Sequence, residues 1–342
     1  MSTDTTTGTP SSAAHVAFAT PPAWTCEADD SESTRQLIAE IRSLARTRRA
    51  VILAHNYQLP RVQEVADLLG DSLYLSMKAR ETKADRIVFC GVHFMAESAK
   101  VLNPSKKVLL PSLAAGCALA DSISPESLEE WKRRYPDRVV VTYINSSAEV
   151  KALSDICCTS GNAVSVVRSL KEKKVLFTPD RNLGNWVRKQ VPEKDVVVYD
   201  GVCPTHDVLR SASVDKVKGS HPEAVIIAHP ECREDVLEIA DEICSTAGMF
   251  DAVKRHPNVK TFIVATEWAL VYRLQQAYPD KEFIMADGCI GCRLHCPYMK
   301  MIDLPQVKRS LEEDLFEIHV SRDVADGARR ALERMLAVPR DR

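Results

Sequence analysis

"EFIMADGCIGCRLHCP", residues 282–297, is a short apolar run that leads into a Gly and then Cys289, Cys292 and Cys296. The apolar part has the length and composition of a strand buried on both faces. The rest is a loop at that strand's carboxyl end. The same order occurs twice upstream, in "KVLLPSLAAGCALADS" (107–122) and "DVVVYDGVCPTH" (195–206). In each, the apolar run is followed by Gly and then Cys, at Cys117 and at Cys203.

Six further runs share the β-branched, apolar character of these three. They are "VILAHNY" (51–57), "RIVFCGV" (86–92), "VVVTYIN" (139–145), "KVLFTP" (174–179), "AVIIAHP" (224–230) and "TFIVATE" (261–267). Helical stretches such as "PRVQEVADLLG" (60–70) and "CREDVLEIADEIC" (232–244) separate them. Grouped in threes, the nine strands repeat with a period of about 87 residues, from starts near 51, 139 and 224. The pattern predicts an α/β protein of three repeated α/β/α sandwich units with small parallel sheets, in pseudo-threefold arrangement. The units are bounded near 36–122, 123–208 and 209–305, with a helical segment at 306–342.

Ligands of parallel α/β units bind at the carboxyl ends of strands. Three such units aim three cysteine loops at one point. The converging thiols are Cys117, Cys203 and one of Cys289, Cys292 or Cys296. Three thiolates suit a [4Fe–4S] cluster with one iron left open, and an open metal position suits a Lewis-acid catalyst. Two other readings compete. Structural zinc takes four ligands in paired sets, and the C-x-x-C here lacks a partner pair. A local ferredoxin-type run would need its first cysteine at position 286, which is Ala286.

Composition narrows the class. Of 342 residues, 45% are hydrophobic and 27% charged, as in an ordinary globular protein. A formal charge of −2 gives no basic field for nucleic acid. No apolar run nears the roughly 20 residues a membrane helix needs. Residues 1–35, rich in Thr, Ser, Pro and Ala, lack the pattern of a signal peptide and read as a disordered tail. A cytoplasmic, reducing setting follows, so the eleven cysteines argue for metal or redox chemistry over disulfides. Some are simply small apolar residues, such as Cys90 in "RIVFCG" and Cys244 in "DEICST".

Polar side chains recur at the strand ends. The first strands end in His55 and Tyr57, in Tyr143 and Asn145, and in His229 and Glu231. A lone histidine there is most simply a buried, hydrogen-bonded one. Equivalent polar endings in all three repeats favour a shared site. "GDS" (70–72), "TSGN" (159–162) and "STAG" (245–248) place Ser72, Ser160 and Thr246 at loops leading into helices. Capping and anion binding both account for such hydroxyls.

These motifs resemble a known family. "AHNYQLPRVQEVADLLGDS", "FCGVHFMAESAK", "AGCALADS", "VTYINSSAEVKALSD", "CTSGNA", "FTPDRNLG", "HPEC" and "CPYMK" together are similar to quinolinate synthases, over about residues 36–305. The resemblance implies condensation of iminoaspartate with dihydroxyacetone phosphate to quinolinate, phosphate and water, in de novo NAD biosynthesis. It implies a central [4Fe–4S] cluster, one per chain, with one open iron. Its ligands fall on Cys117, Cys203 and Cys296, the last chosen by "C-P-x-M" against the repeat register. It implies substrate or catalytic roles for His55, Tyr57, Ser72, Tyr143, Asn145, Ser160, His206, His229, Glu231 and Thr246. Glu231, Tyr143, Tyr57 and His206 are the expected acid–base residues. Small-molecule substrates and a functional link to an aspartate oxidase complete the expectation. Cys289 and Cys292 are left without an assigned role. The rival class is a cluster-bearing electron carrier, which needs far fewer polar strand ends.

Overall fold

The computed structural model describes residues 30–288 and 294–341. The expected tail lies largely outside these residues, as do Cys289 and Cys292. The first helix, Glu32–Thr47, starts inside the 1–35 stretch, with Ser31 as its N-cap.

All nine expected strands form, together with three more. In chain order they are β1 (Ala50–His55), β2 (Leu68–Gly70), β3 (Arg86–Cys90), β4 (Lys107–Leu109), β5 (Val139–Tyr143) and β6 (Ile156–Cys158). They continue as β7 (Lys174–Thr178), β8 (Asp195–Val198), β9 (Val225–Ala228), β10 (Glu242–Ile243), β11 (Thr261–Ala265) and β12 (Glu282–Met285). They build three four-stranded parallel sheets, ordered β2-β1-β3-β4, β6-β5-β7-β8 and β10-β9-β11-β12. Helices flank each sheet, so the architecture is three α/β/α units. In each, the first and second strands are central and lie buried between two layers. Phe89, Phe177 and Ile263 are almost wholly enclosed, each adding about 1.5–3 kcal/mol by leaving water.

Two of the three extra strands, β2 and β10, fall in stretches that read as helix. "ADLLG" and "ADEIC" were assigned to helices, but the helices end at Val65 and Leu237 and the chain then turns extended. The cause is an aspartate. Asp67, Asp155 and Asp241 each accept an amide of the neighbouring first strand, from Ile52, Val140 and Ile226, all at 2.8 Å. Each also returns its own amide to the carbonyl of that same residue. This double clip seats the short edge strand that follows.

Two helices follow the third unit. Leu304–Glu313 starts with a capping box of Asp303 and Gln306 and packs on the first helix. Residues 316–318 run antiparallel beside β4. Arg322–Leu336 packs across the helix Ala148–Ala152 and β6. At that crossing a Cβ on Gly327 would meet Ala152 backbone at 2.9 Å, so only Gly allows the approach. Among the described residues no helix is long and apolar enough to cross a membrane.

Candidate active site

One cavity holds every expected site residue. It is a partly open cavity of about 630 Å³, the solvent at its mouth included, and lies where the carboxyl ends of the three sheets meet. First-strand ends deliver His55, Tyr57, Tyr143, Asn145, His229 and Glu231 to its wall. Edge-strand ends deliver Ser72, Ser160 and Thr246. Loops after the third strands of the first two units deliver Cys117, Cys203 and His206, and Cys296 completes the set from the third. Capping falls largely to neighbours. Asp71, not Ser72, caps the helix Ser72–Glu81, and Ser245, not Thr246, caps Thr246–Arg255. The Ser72 and Thr246 hydroxyls are therefore not spent on the caps.

Glu231 is the hub. Its Oε2 lies 3.1 Å from His206 Nδ1 and 3.2 Å from His229 Nδ1. Its Oε1 accepts from Asn145 Nδ2 at 3.3 Å. Burial opposes its charge, but the two histidines and the Tyr143 hydroxyl outweigh burial and hold the carboxyl at about 2. Burial lowers both His55 and His206 to about 4, so both rings are neutral near pH 7. Burial, then the Glu231 charge, pushes Tyr57 and Tyr143 well above the usual phenol range. Both phenols stay protonated and can donate. His206 stacks on His229 with ring centres 4.9 Å apart. Its Nε2 meets Thr266 Oγ1 at 2.8 Å, and that hydroxyl also bonds the Tyr57 hydroxyl. His229 Nε2 lies 3.1 Å from Ser160 Oγ.

The three thiols share one environment. All three line the one cavity, close enough that a charge on one disfavours a charge on another. Each begins a short helical turn and receives backbone N–H groups from two or three residues on. The donors are Leu119 and Ala120 for Cys117, His206 for Cys203, and Tyr298 and Met299 for Cys296. Burial pushes Cys117 up to about 12, Cys296 to about 11 and Cys203 well above the usual thiol range. Three buried thiols with amides aimed at sulfur need a cation to become thiolates, and this donor set fits an iron–sulfur cluster. Cys203, His206 and Glu231 also bring ligand atoms within 4.8 Å of one another, enough for a single ion. Glu231 is committed to two rings and Asn145, however, which leaves the thiols as the less occupied donors. The apolar role expected of Cys90 holds, as it is fully enclosed, whereas Cys244 is half-buried.

The sequence reading passed over the ends of the second strands. Glu267 follows β11, is fully buried, and its Oε1 accepts the Cys296 amide at 3.3 Å and Lys300 Nζ at 2.7 Å. Lys300 also bonds the Tyr57 carbonyl and lies over the Trp268 ring, 4.8 Å from its centre. Asp180 holds the same place after β7, where its Oδ1 accepts the Leu183 amide at 2.7 Å and its Oδ2 is buried with no hydrogen-bond partner. In the first unit the place falls to Val92 and His93, and the His93 amide bonds the Ala115 carbonyl instead. The Cys296 loop thus hangs on a strand-end carboxylate. The polar tails of "TFIVATE" and "FTPD" were the available signal.

Glu267→Ala leaves Lys300 buried without its partner. We expect a stability loss of about 3 kcal/mol or more, read by denaturant unfolding, with Glu267→Gln losing less because it can still accept the Cys296 amide. Unfolding curves of Glu267→Ala that overlay the wild type would show that the pair does not hold this loop.

The fold and the site define an α/β enzyme with one central, cysteine-lined cavity built by three repeated units. The chain belongs to the quinolinate synthetase A protein family, whose model matches residues 39–337. It is 52% identical over 302 residues to a quinolinate synthase of Pelobacter propionicus, covering 88% of this chain and 98% of that protein. Similarity to the quinolinate synthase of Geobacter metallireducens is 51% over 302 residues, covering 88% and 97%. For that of Aquifex aeolicus it is 44% over 306 residues, covering 89% and 95%. The family is the one its motifs resemble.

Proposed function

We propose that this chain is a quinolinate synthase of NAD biosynthesis. It joins iminoaspartate to dihydroxyacetone phosphate and releases quinolinate, phosphate and water. One observation carries this reading: a buried carboxylate, Glu231, bridges two histidines inside a cavity that three thiols share. Cys117, Cys203 and Cys296 hold a [4Fe–4S] cluster, one per chain. When bound, it supplies an iron free of protein ligands, a Lewis acid that stabilises negative charge on a substrate atom.

The remaining chemistry falls to side chains. Ring closure with loss of water and phosphate takes protons from carbon and gives them to departing oxygens. Glu231, ionised at neutral pH, accepts a proton and shares it with His206 and His229 on Oε2. Tyr143 and Tyr57, protonated through burial, donate to leaving oxygens. His206 joins Glu231 to Thr266 and so to the Tyr57 hydroxyl, which makes one proton path across the site. His55, Ser72, Ser160, His229 and Thr246 hold the carboxylate and phosphate oxygens. Asn145 Oδ1 is buried with no partner, an acceptor suited to an imine or hydroxyl hydrogen of substrate.

The unit boundaries near 122, 208 and 305 put one cysteine loop in each unit. A reducing cytoplasm keeps the cysteines as thiols, and an aspartate oxidase supplies the iminoaspartate. The test is anaerobic purification, iron and sulfide analysis, and a quinolinate assay from the two substrates. Expected are about four irons per chain and turnover that requires both substrates. Cluster-replete protein that forms no quinolinate would overturn the proposal and leave the electron-carrier reading.

A further inference from the structure

The chain beyond the last helix reaches back to the cavity. Arg340 makes a two-pronged ion pair with Asp71, Nη1 2.6 Å from Oδ2 and Nη2 2.8 Å from Oδ1. Asp71 is buried, lines the cavity and caps the helix that begins at Ser72. One residue on, the Asp341 carboxylate accepts the amides of Val164 and Ser165 at 3.2 and 2.7 Å. The Asp341 amide donates to the Gly161 carbonyl at 2.8 Å. Asn162 Nδ2 donates to the carbonyls of Met335 and Val338, both at 3.3 Å. One segment therefore grips two turns from different units, Gly70–Ser72 and residues 160–162. A Cβ on Gly161 would stand 2.9 Å from Arg340 Nη1, so the glycine leaves room for the guanidinium.

The consequence is electrostatic as well as geometric. The two turns present Ser72 and Ser160 to the cavity. Asp71 faces the same cavity, and its negative charge acts on His55 there. An uncompensated carboxylate beside hydroxyls that hold anions repels the ligand. The Arg340 fork cancels that charge and fixes the turn in one geometry, which a lone lysine charge does less well.

We propose that Arg340 and Asp341 are positioning residues for anionic substrates: they tie the Ser72 and Ser160 turns together and neutralise Asp71 at the cavity wall. This rests on the reading of the cavity as a site for phosphate- and carboxylate-bearing molecules. The tail acts through the two turns and takes no part in proton transfer. Its loss therefore weakens substrate and transition-state binding alike, which raises KM and spares kcat.

The experiment uses the full chain with its cluster. Arg340→Ala should raise KM for dihydroxyacetone phosphate or for iminoaspartate about five- to tenfold, with kcat within about threefold. Separate titrations of the two substrates show whether phosphate or carboxylate is the group held. Arg340→Lys should fall between. Adding Asp71→Asn to Arg340→Ala should recover part of the loss, because Asn still caps the helix and the repulsive charge is gone. A merely structural tail would show no such recovery, because removing Asp71 would then add a second defect. Calorimetric titration with dihydroxyacetone phosphate and with malate, a stable dicarboxylate, reads the same effect without turnover. If Arg340→Ala unfolds, Arg340→Lys and Asp341→Asn carry the comparison. Unchanged KM and unchanged binding of both ligands, or a double variant worse than Arg340→Ala, overturn the proposal. Wild-type protein that binds these ligands but forms no quinolinate would overturn the assigned reaction and not this role.

Discussion

Replacement of Glu231 by Gln lowers quinolinate formed per cluster by about 10²-fold or more, the usual scale for removing a general acid–base group. The substitution is close to isosteric, so the question is whether the site tolerates it. Glu231 Oε2 faces two ring nitrogens and Oε1 faces the Asn145 amide nitrogen. A glutamine oxygen can keep the place of Oε2. Its NH₂ then meets another NH₂, a donor against a donor. Asn145 relieves this by turning its amide over, because its Oδ1 has no partner to lose. The variant therefore keeps its fold, its thiols and its hydrogen bonds. What it loses is the negative charge, the capacity to take a proton and, once Asn145 has turned, the buried Oδ1 acceptor offered to substrate. Iron content and thermal unfolding should match the wild type while turnover collapses. Turnover near the wild-type rate would remove Glu231 from the chemistry and shift the base to another residue.

That hub was legible in the sequence because three features coincided at one topological place. Central strands of a parallel sheet are covered on both faces and read as unbroken apolar runs, as in "AVIIAHP" and "TFIVATE". Their carboxyl ends must open into loops, so polar residues there stand out. The edge strands carry no such mark. β10 is only Glu242–Ile243, bonded to one neighbour and half exposed, and its residues suit the end of a helix equally well. Only Asp67, Asp155 and Asp241, at matching places in three repeats, betray those strands. Glu267 was passed over because its role depends on Lys300, which returns from a separate loop. Arg340 and Asp71 lie 269 residues apart in the chain. No local pattern marks such a pair, since an exposed "PRD" tail reads as a solvated end.

Cys117→Ala, Cys203→Ala and Cys296→Ala should each abolish iron retention, and with it all quinolinate formation. Each sulfur is one of three points that fix a cubane, and loss of one leaves two thiols in a buried pocket. Burial pushes all three thiols above their ordinary range, so at neutral pH a thiol without a metal stays protonated. Cluster binding must drive three deprotonations at once, and a pair of ligands recovers too little energy to do so. The fold itself should persist, since alanine fills the apolar part of each site and the sheets do not run through these loops. Iron and sulfide analysis of anaerobically reconstituted protein makes the comparison, with circular dichroism as the check on folding. Cys296 is the decisive variant. It shares the cavity with Cys117 and Cys203, and its amide hangs on Glu267. Cys289 and Cys292, outside the described residues, should be dispensable under reducing conditions, so that their double alanine variant keeps its iron. Any effect of the pair should emerge only after mild oxidation. Full iron in Cys296→Ala, with loss in the double variant, would move the third ligand to the C-x-x-C pair and restore the register that the threefold repeat first suggested.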